Sequence, residues 1–81
     1  MKRIGVIGIV ICDKTITIEM QKLLSEFSDI IIGRIGVPRN NVSAISLIVE
    51  GTTERISALT GKLGKMNLIV KSALTSYEIN E

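Results

Sequence analysis

The sequence predicts an α+β domain with the element order β-α-β-β-α-β. Three observations carry that reading. Four apolar runs rich in Ile and Val are spaced along the chain. Between them lie two segments whose apolar residues recur with helical period. The chain has 81 residues, the size of one small domain, and neither a linker nor a low-complexity stretch divides it. This order is the split βαβ, or ferredoxin-like, arrangement, a four-stranded antiparallel sheet with both helices on one face.

Each element follows from local chemistry. Residues 3–11 read as a strand because Ile4, Val6, Ile7, Ile9, Val10 and Ile11 are β-branched. Asp13 and Thr15 are candidate caps for a helix in which Ile16, Met20, Leu23 and Phe27 form one stripe, ending at Ser28-Asp29. Residues 30–35 form the second strand, and Gly36 to Asn41, with Pro38 inside it, reads as a turn. Val42 to Glu50 is the third strand. Thr52 or Thr53 caps a second helix, with Glu54 at its positive end, Ile56, Leu59 and Leu63 as its stripe and Gly64 as its C-cap. Leu68 to Leu74 is the last strand, and residues 76–81 are a polar tail expected to fray. The domain is expected to span residues 1–81.

Composition narrows the function classes. The net charge is +2 and dispersed, and the only aromatic residues are Phe27 and Tyr77. A nucleic-acid surface normally concentrates basic charge and offers stacking rings, so direct nucleic-acid binding is not expected. There is no histidine and one cysteine, Cys12. No metal or other cofactor is expected on that donor set. Cys12 reads as a small buried hydrophobe. The N-terminal apolar run is short, broken by glycine and lacks a cleavage site, and no run is long enough for a membrane helix. The expected location is the cytoplasm, away from membranes.

The strands are apolar on both sides. The first presents Ile7, Ile9 and Ile11 on one face and Ile4, Val6 and Val10 on the other. The second presents Ile30 and Ile32 against Ile31 and Ile35, the third Ile45, Leu47 and Val49 against Val42, Ala44 and Ile48. Two helices cover one face, so the other requires a partner. A homo-oligomer is expected, a dimer or tetramer that buries the open face or extends the sheet edge to edge.

Two segments combine backbone freedom with positive charge. Gly33-Arg34-Ile35-Gly36, closed by Pro38, offers a guanidinium fork suited to carboxylate or phosphate. Its competing reading is a turn with a solvated or intersubunit arginine. Thr60-Gly61-Lys62-Leu63-Gly64 lies near the end of a helix, where a nucleotide loop would not. A packing or interface role fits Gly61 better than ligand contact, and Lys62 suits the helix C-terminus. Gly33, Arg34, Gly36, Pro38, Thr60, Gly61 and Lys62 are the candidate ligand or interface residues. Gly5-Val6-Ile7-Gly8 lies inside a strand and lacks the third glycine of a dinucleotide fingerprint. The carboxylates do not converge into an acid–base pair, so no catalytic residue is assigned and the protein is not expected to be an enzyme. An acylphosphatase would share the fold, but the Cys12-Asp13-Lys14 turn lacks the arginine that such a loop carries.

The stretches Ile31 to Pro38, Ser43 to Val49, Thr52-Thr53, Leu59 to Gly64 and Val70-Lys71 resemble the small family of iron-only hydrogenase system regulators. The resemblance runs from the first strand to about Thr75. It implies a stand-alone ACT-like domain, similar to the ligand-binding C-terminal domain of the nickel-responsive regulator. Such domains assemble as dimers or tetramers and bind effectors at subunit interfaces. The resemblance further implies a regulatory role in hydrogenase expression or maturation. That nickel regulator binds metal through histidines, which this chain lacks, and no DNA-reading helix pair is present. The expectation is therefore a non-enzymatic oligomeric module that binds a small anionic metabolite near Arg34, at a subunit interface. The alternative is an interaction module that contacts regulatory or maturation proteins without a small ligand. A small hydrolase is the remote third reading.

Overall fold

The computed structural model describes residues 2–79. The chain folds as β1 (Lys2–Ile11), a 3₁₀ turn (Lys14–Ile16), α1 (Thr17–Glu26), β2 (Ile31–Pro38), β3 (Ser43–Gly51), α2 (Thr53–Gly64) and β4 (Ile69–Ile79). The sheet order is β2-β3-β1-β4, and every neighbouring pair is antiparallel. This is the expected βαββαβ arrangement.

Strand alternation sets the two faces. Ile7, Ile9 and Ile11 of β1 and Ile45, Leu47 and Val49 of β3 point to the helices and are buried. Met20, Leu23, Leu24 and Phe27 of the first helical segment and Ile56, Leu59 and Leu63 of α2 close the core over them. The Asp13 carboxylate caps the 3₁₀ turn, accepting from the Thr15 amide at 3.0 Å and the Thr15 hydroxyl at 2.6 Å. Its second oxygen accepts from the Asn67 side-chain amide at 3.2 Å, tying the start of the first helical segment to the α2–β4 connection. Thr52 caps α2 as expected, its hydroxyl accepting from the Arg55 amide at 3.2 Å.

Several boundaries differ from the sequence reading. Gly36, Val37 and Pro38 are strand, not turn. β2 is an outer strand, so proline's missing N–H costs no ladder bond on its free side. The register of β2 against β3 shifts between Ile31 and Gly33. That bulge at Ile32 puts Ile31 on the helix side, opposite Val49, and Ile35 on the open side, opposite Ser46, where strict alternation had put them together. Gly64 does not end α2 in a left-handed cap. No described glycine has positive φ, and Lys65 closes the helix with its amide on the Lys62 and Leu63 carbonyls. The tail expected to fray from Ser76 pairs instead with β1 as far as Ile79, and Asn80 and Glu81 lie outside the described residues. Cys12 is exposed, not buried, because β1 ends one residue before it.

The open face stays apolar, as the sequence implied. Ile35 is 67% exposed, Ile69 58%, Val6 41% and Ile48 37%. Among the described residues no helix is long and apolar enough to cross a membrane.

Candidate functional site: the outer strand β2 and its groove with α1

β2 carries four of the candidate residues and divides them between two surfaces. Gly33 pairs with Ile48 on the open face. Arg34, Gly36 and Pro38 pair with Leu47, Ile45 and Ser43, so they lie on the helix side, alongside α1. A side chain added at Gly33 would touch Ile48 at 3.5 Å, whereas at Gly36 it would meet only Ile45, at 4.0 Å. Gly36 therefore keeps the space between β2 and α1 open.

That space is a groove with two depressions. One, of about 190 Å³, is lined by Leu24, Ser25, Ser28, Ile31 and Arg34. The other, of about 290 Å³, lies at Thr17, Met20 and Gln21 of α1, against Gly36 and Pro38. Arg34 is exposed and forms no hydrogen bond or ion pair with the described residues. Arg34 lines the first depression together with Ser25 and Ser28, at the C-terminal end of α1, where a helix carries partial negative charge that favours a cation. The Ser25 hydroxyl donates to the Gln21 carbonyl at 3.0 Å, so it is left to accept from a donor such as an ammonium and does not itself hold an anion. An unpaired fork, the Ser28 hydroxyl and an apolar floor of Leu24 and Ile31 suit a small molecule with a carboxylate or phosphate and a short apolar part.

The second candidate segment lies elsewhere. Thr60 donates its hydroxyl back to the Ile56 carbonyl at 3.0 Å within α2. A Cβ built at Gly61 would meet nothing within 4 Å, so the close packing expected there does not occur within one chain. Lys62 places its ammonium 5.6 Å from the centre of the Phe27 ring, which Arg55 also covers at 4.3 Å. Arg55 in turn pairs with Asp29 at 2.6 Å. No described contact or depression joins Thr60, Gly61 or Lys62 to Arg34. Neither Ser25 nor Ser28 stood out as a site residue in the sequence, where Ser28 read only as the end of a helix. The helical period placing residues 21, 24, 25 and 28 along one flank was the available signal.

Among the described residues no group of three or more His, Cys, Asp or Glu could hold a metal ion. Asp13 has a shifted titration: hydrogen bonds from the Thr15 hydroxyl, the Thr15 amide and the Asn67 side chain hold its carboxyl below the usual value of 3.8.

Comparison with known proteins bears on this geometry. The TM1266-like family, described as "Iron-only hydrogenase system regulator, putative", matches residues 3–72. The solved structure of uncharacterized protein TM1266 from Thermotoga maritima is 31% identical, with TM-score 0.85 over 91% of this chain and 98% of that one. The ACT domain from GTP pyrophosphokinase of Chlorobium tepidum is 21% identical, with TM-score 0.77 over 90% of this chain and all of that one. A "putative glycine cleavage system transcriptional repressor" is 20% identical, with TM-score 0.72, and the chain spans half its length. The last two likenesses establish the fold, an ACT-like ferredoxin-like domain. No curated protein matches the chain. With the family match running over residues 3–72, and the Thermotoga maritima structure alike in both sequence and fold, the chain belongs to the TM1266-like family of iron-only hydrogenase system regulators.

Proposed function

We propose that the chain is a non-enzymatic, homo-oligomeric regulatory module of the iron-only hydrogenase system, acting in its expression or maturation. In this reading it binds a small anionic metabolite, such as an amino acid, through Arg34 at the border of a subunit interface. One observation carries the proposal: an unpaired arginine on an outer strand faces a groove that holds the Ser28 hydroxyl and an apolar floor. The groove is shallow, so a ligand there stays partly exposed, on a strand whose other side borders the interface. Family membership and the ACT-like fold support a regulatory role. Among the described residues the two helices lie on a sheet and form no DNA-reading helix pair, so in this reading an effect on transcription passes through a partner protein.

The test is thermal melting of the purified chain against amino acids, nucleotides and metal ions. A carboxylate or phosphate ligand at about 100 times its Kd adds about 2.7 kcal/mol, which raises Tm by about 10–20 °C for a domain of this size. The rise is expected to disappear in Arg34→Ala. If no compound shifts Tm while hydrogenase maturation or regulatory proteins still co-purify with the chain, the ligand is removed from the account and an interaction module remains. Hydrolysis of acyl phosphates that is lost in Arg34→Ala would replace the proposal with a hydrolase.

A further inference from the structure

We infer that a second copy of this chain covers the open sheet face, stacking sheet on sheet rather than joining edge to edge. This inference rests on the oligomeric reading above and specifies the surface it uses.

The strand registers define the face as three complete rows. Val37, Ala44, Val10 and Ile69 form one row across β2, β3, β1 and β4. Ile35, Ser46, Gly8 and Lys71 form the next, then Gly33, Ile48, Val6 and Ala73. The only charge in these rows is Lys71, on outer strand β4, whose long stem lets its ammonium reach water past the sheet edge. The small residues Gly8, Ala44 and Ser46 form the floor of a trough of about 390 Å³, with Ile35 and Val37 on one wall and Ile69 on the other. Such relief lets side chains of a facing sheet interdigitate, as they do where two sheets stack about 10 Å apart.

Area and edge chemistry favour this partner. Strands about 4.8 Å apart and residues about 3.3 Å along each strand make the face roughly 20 by 25 Å before side-chain relief. At roughly 500 Å² per partner, two copies bury about 1,000 Å² in total, the lower bound of a specific interface, and the patch lies in the upper part of the range of about 300–600 Å² that marks functional apolar surface on a monomer. Both sheet edges are guarded against strand addition. β2 has its bulge at Ile32 and ends in Pro38. β4 breaks register against β1 between Arg3 and Gly5, where the Thr75 hydroxyl takes the Ile4 carbonyl at 2.9 Å. Bulges and proline are the devices that stop edges from pairing.

The stack also joins the interface to the groove. β2 turns Gly33, Ile35 and Val37 toward the second copy and Arg34, Gly36 and Pro38 toward α1. One strand thus forms part of both surfaces, and a ligand held by Arg34 sits on the reverse side of the contact.

Sedimentation equilibrium of the full chain and its variants tests this. Val6 and Ile48 lie on the two central strands, away from both edges, and are part-exposed. Val6→Lys and Ile48→Lys are each expected to raise the subunit dissociation constant about 30-fold or more, the scale of an interface hot spot, with the far-UV circular dichroism retained. Ile18→Lys, on the exposed side of α1, is the control and is expected to leave assembly unchanged. An oligomer that survives both central substitutions, or that dissociates with Ile18→Lys, overturns the stacked arrangement while leaving an oligomer. A wild-type monomer at micromolar concentration overturns the oligomeric reading as well. Radical footprinting of the unmodified chain reads the same face without any substitution. Protection of Val6 and Ile48 that is lost on dilution supports the stack, and labelling independent of concentration refutes it.

Discussion

Two glycine-to-alanine substitutions should change stability in opposite directions. Gly51 ends β3 and is buried. A Cβ built there lies 2.7 Å from Ile30 Cγ2 and 3.2 Å from Ile30 Cβ. Ordinary carbon contacts begin near 3.5 Å, so the overlap is close to an ångström. Ile30 has little room to yield. It is 4% exposed, its branched Cβ limits its rotamers, and its carbonyl accepts from the Glu50 amide at 2.8 Å. Gly51→Ala is therefore expected to destabilise by about 1–3 kcal/mol, the range of core overpacking. At about 4–8 °C per kcal/mol, Tm falls by roughly 4–24 °C. Gly61 is the contrast. It lies inside α2, and a methyl group added there would meet nothing within 4 Å. Gly61→Ala is expected to stabilise by about 0.5–1 kcal/mol through helix propensity and a less flexible unfolded chain. Urea unfolding at fixed protein concentration measures both, with unchanged m-values marking a change in stability alone. Equal stability for Gly51→Ala and wild type would refute the close approach of Ile30. Destabilisation by Gly61→Ala would show that another backbone packs on α2 in the assembly.

Further outcomes follow from the core and from Asp13. Leu59 has no exposed surface beneath the sheet, so Leu59→Ala is expected to cost about 2–5 kcal/mol in urea unfolding. A cost under about 1 kcal/mol would mean that α2 is not packed as described. The Asp13 carboxyl titrates below its unfolded value of 3.8, so its ionised form stabilises the fold above that pH. The contribution fades as pH falls through the folded value. The stability difference between wild type and Asp13→Asn should therefore shrink in acid, and a difference that grows below about pH 3.8 would contradict the cap.

Much of this fold was legible because its signals are local. The runs around Ile9 and Leu47 are too β-branched and apolar for a surface helix, and the Met20–Phe27 and Ile56–Leu63 stripes hold helical period. The open face was legible too, because Val6, Val10 and Ile48 break the alternation that a solvated face would show. The misreadings came where context overrides local chemistry. Pro38 signals a turn, yet an outer strand tolerates it. Gly64 signals a left-handed cap, yet Lys65 closes the helix instead. The polar residues from Ser76 onward suggested fraying, yet β1 supplies the ladder that orders them through Ile79. At the site, Arg34 was legible as an unusual cation between glycines. Its neighbours Ser25 and Ser28 were not, since only the antiparallel passage of α1 along β2 brings them to it. The bulge at Ile32 is equally silent in sequence, and it decides that Arg34 faces the groove while Ile35 faces outward.

A crystal structure of the assembled chain, grown with a ligand that raises its Tm, tests the central claim most directly. The expected result is two sheets stacked through Val6, Ile48 and Ile35, with the ligand's carboxylate or phosphate on Arg34 in the α1–β2 groove. A continuous sheet running from one copy to the next through β2, or a ligand bound away from Arg34, would contradict it.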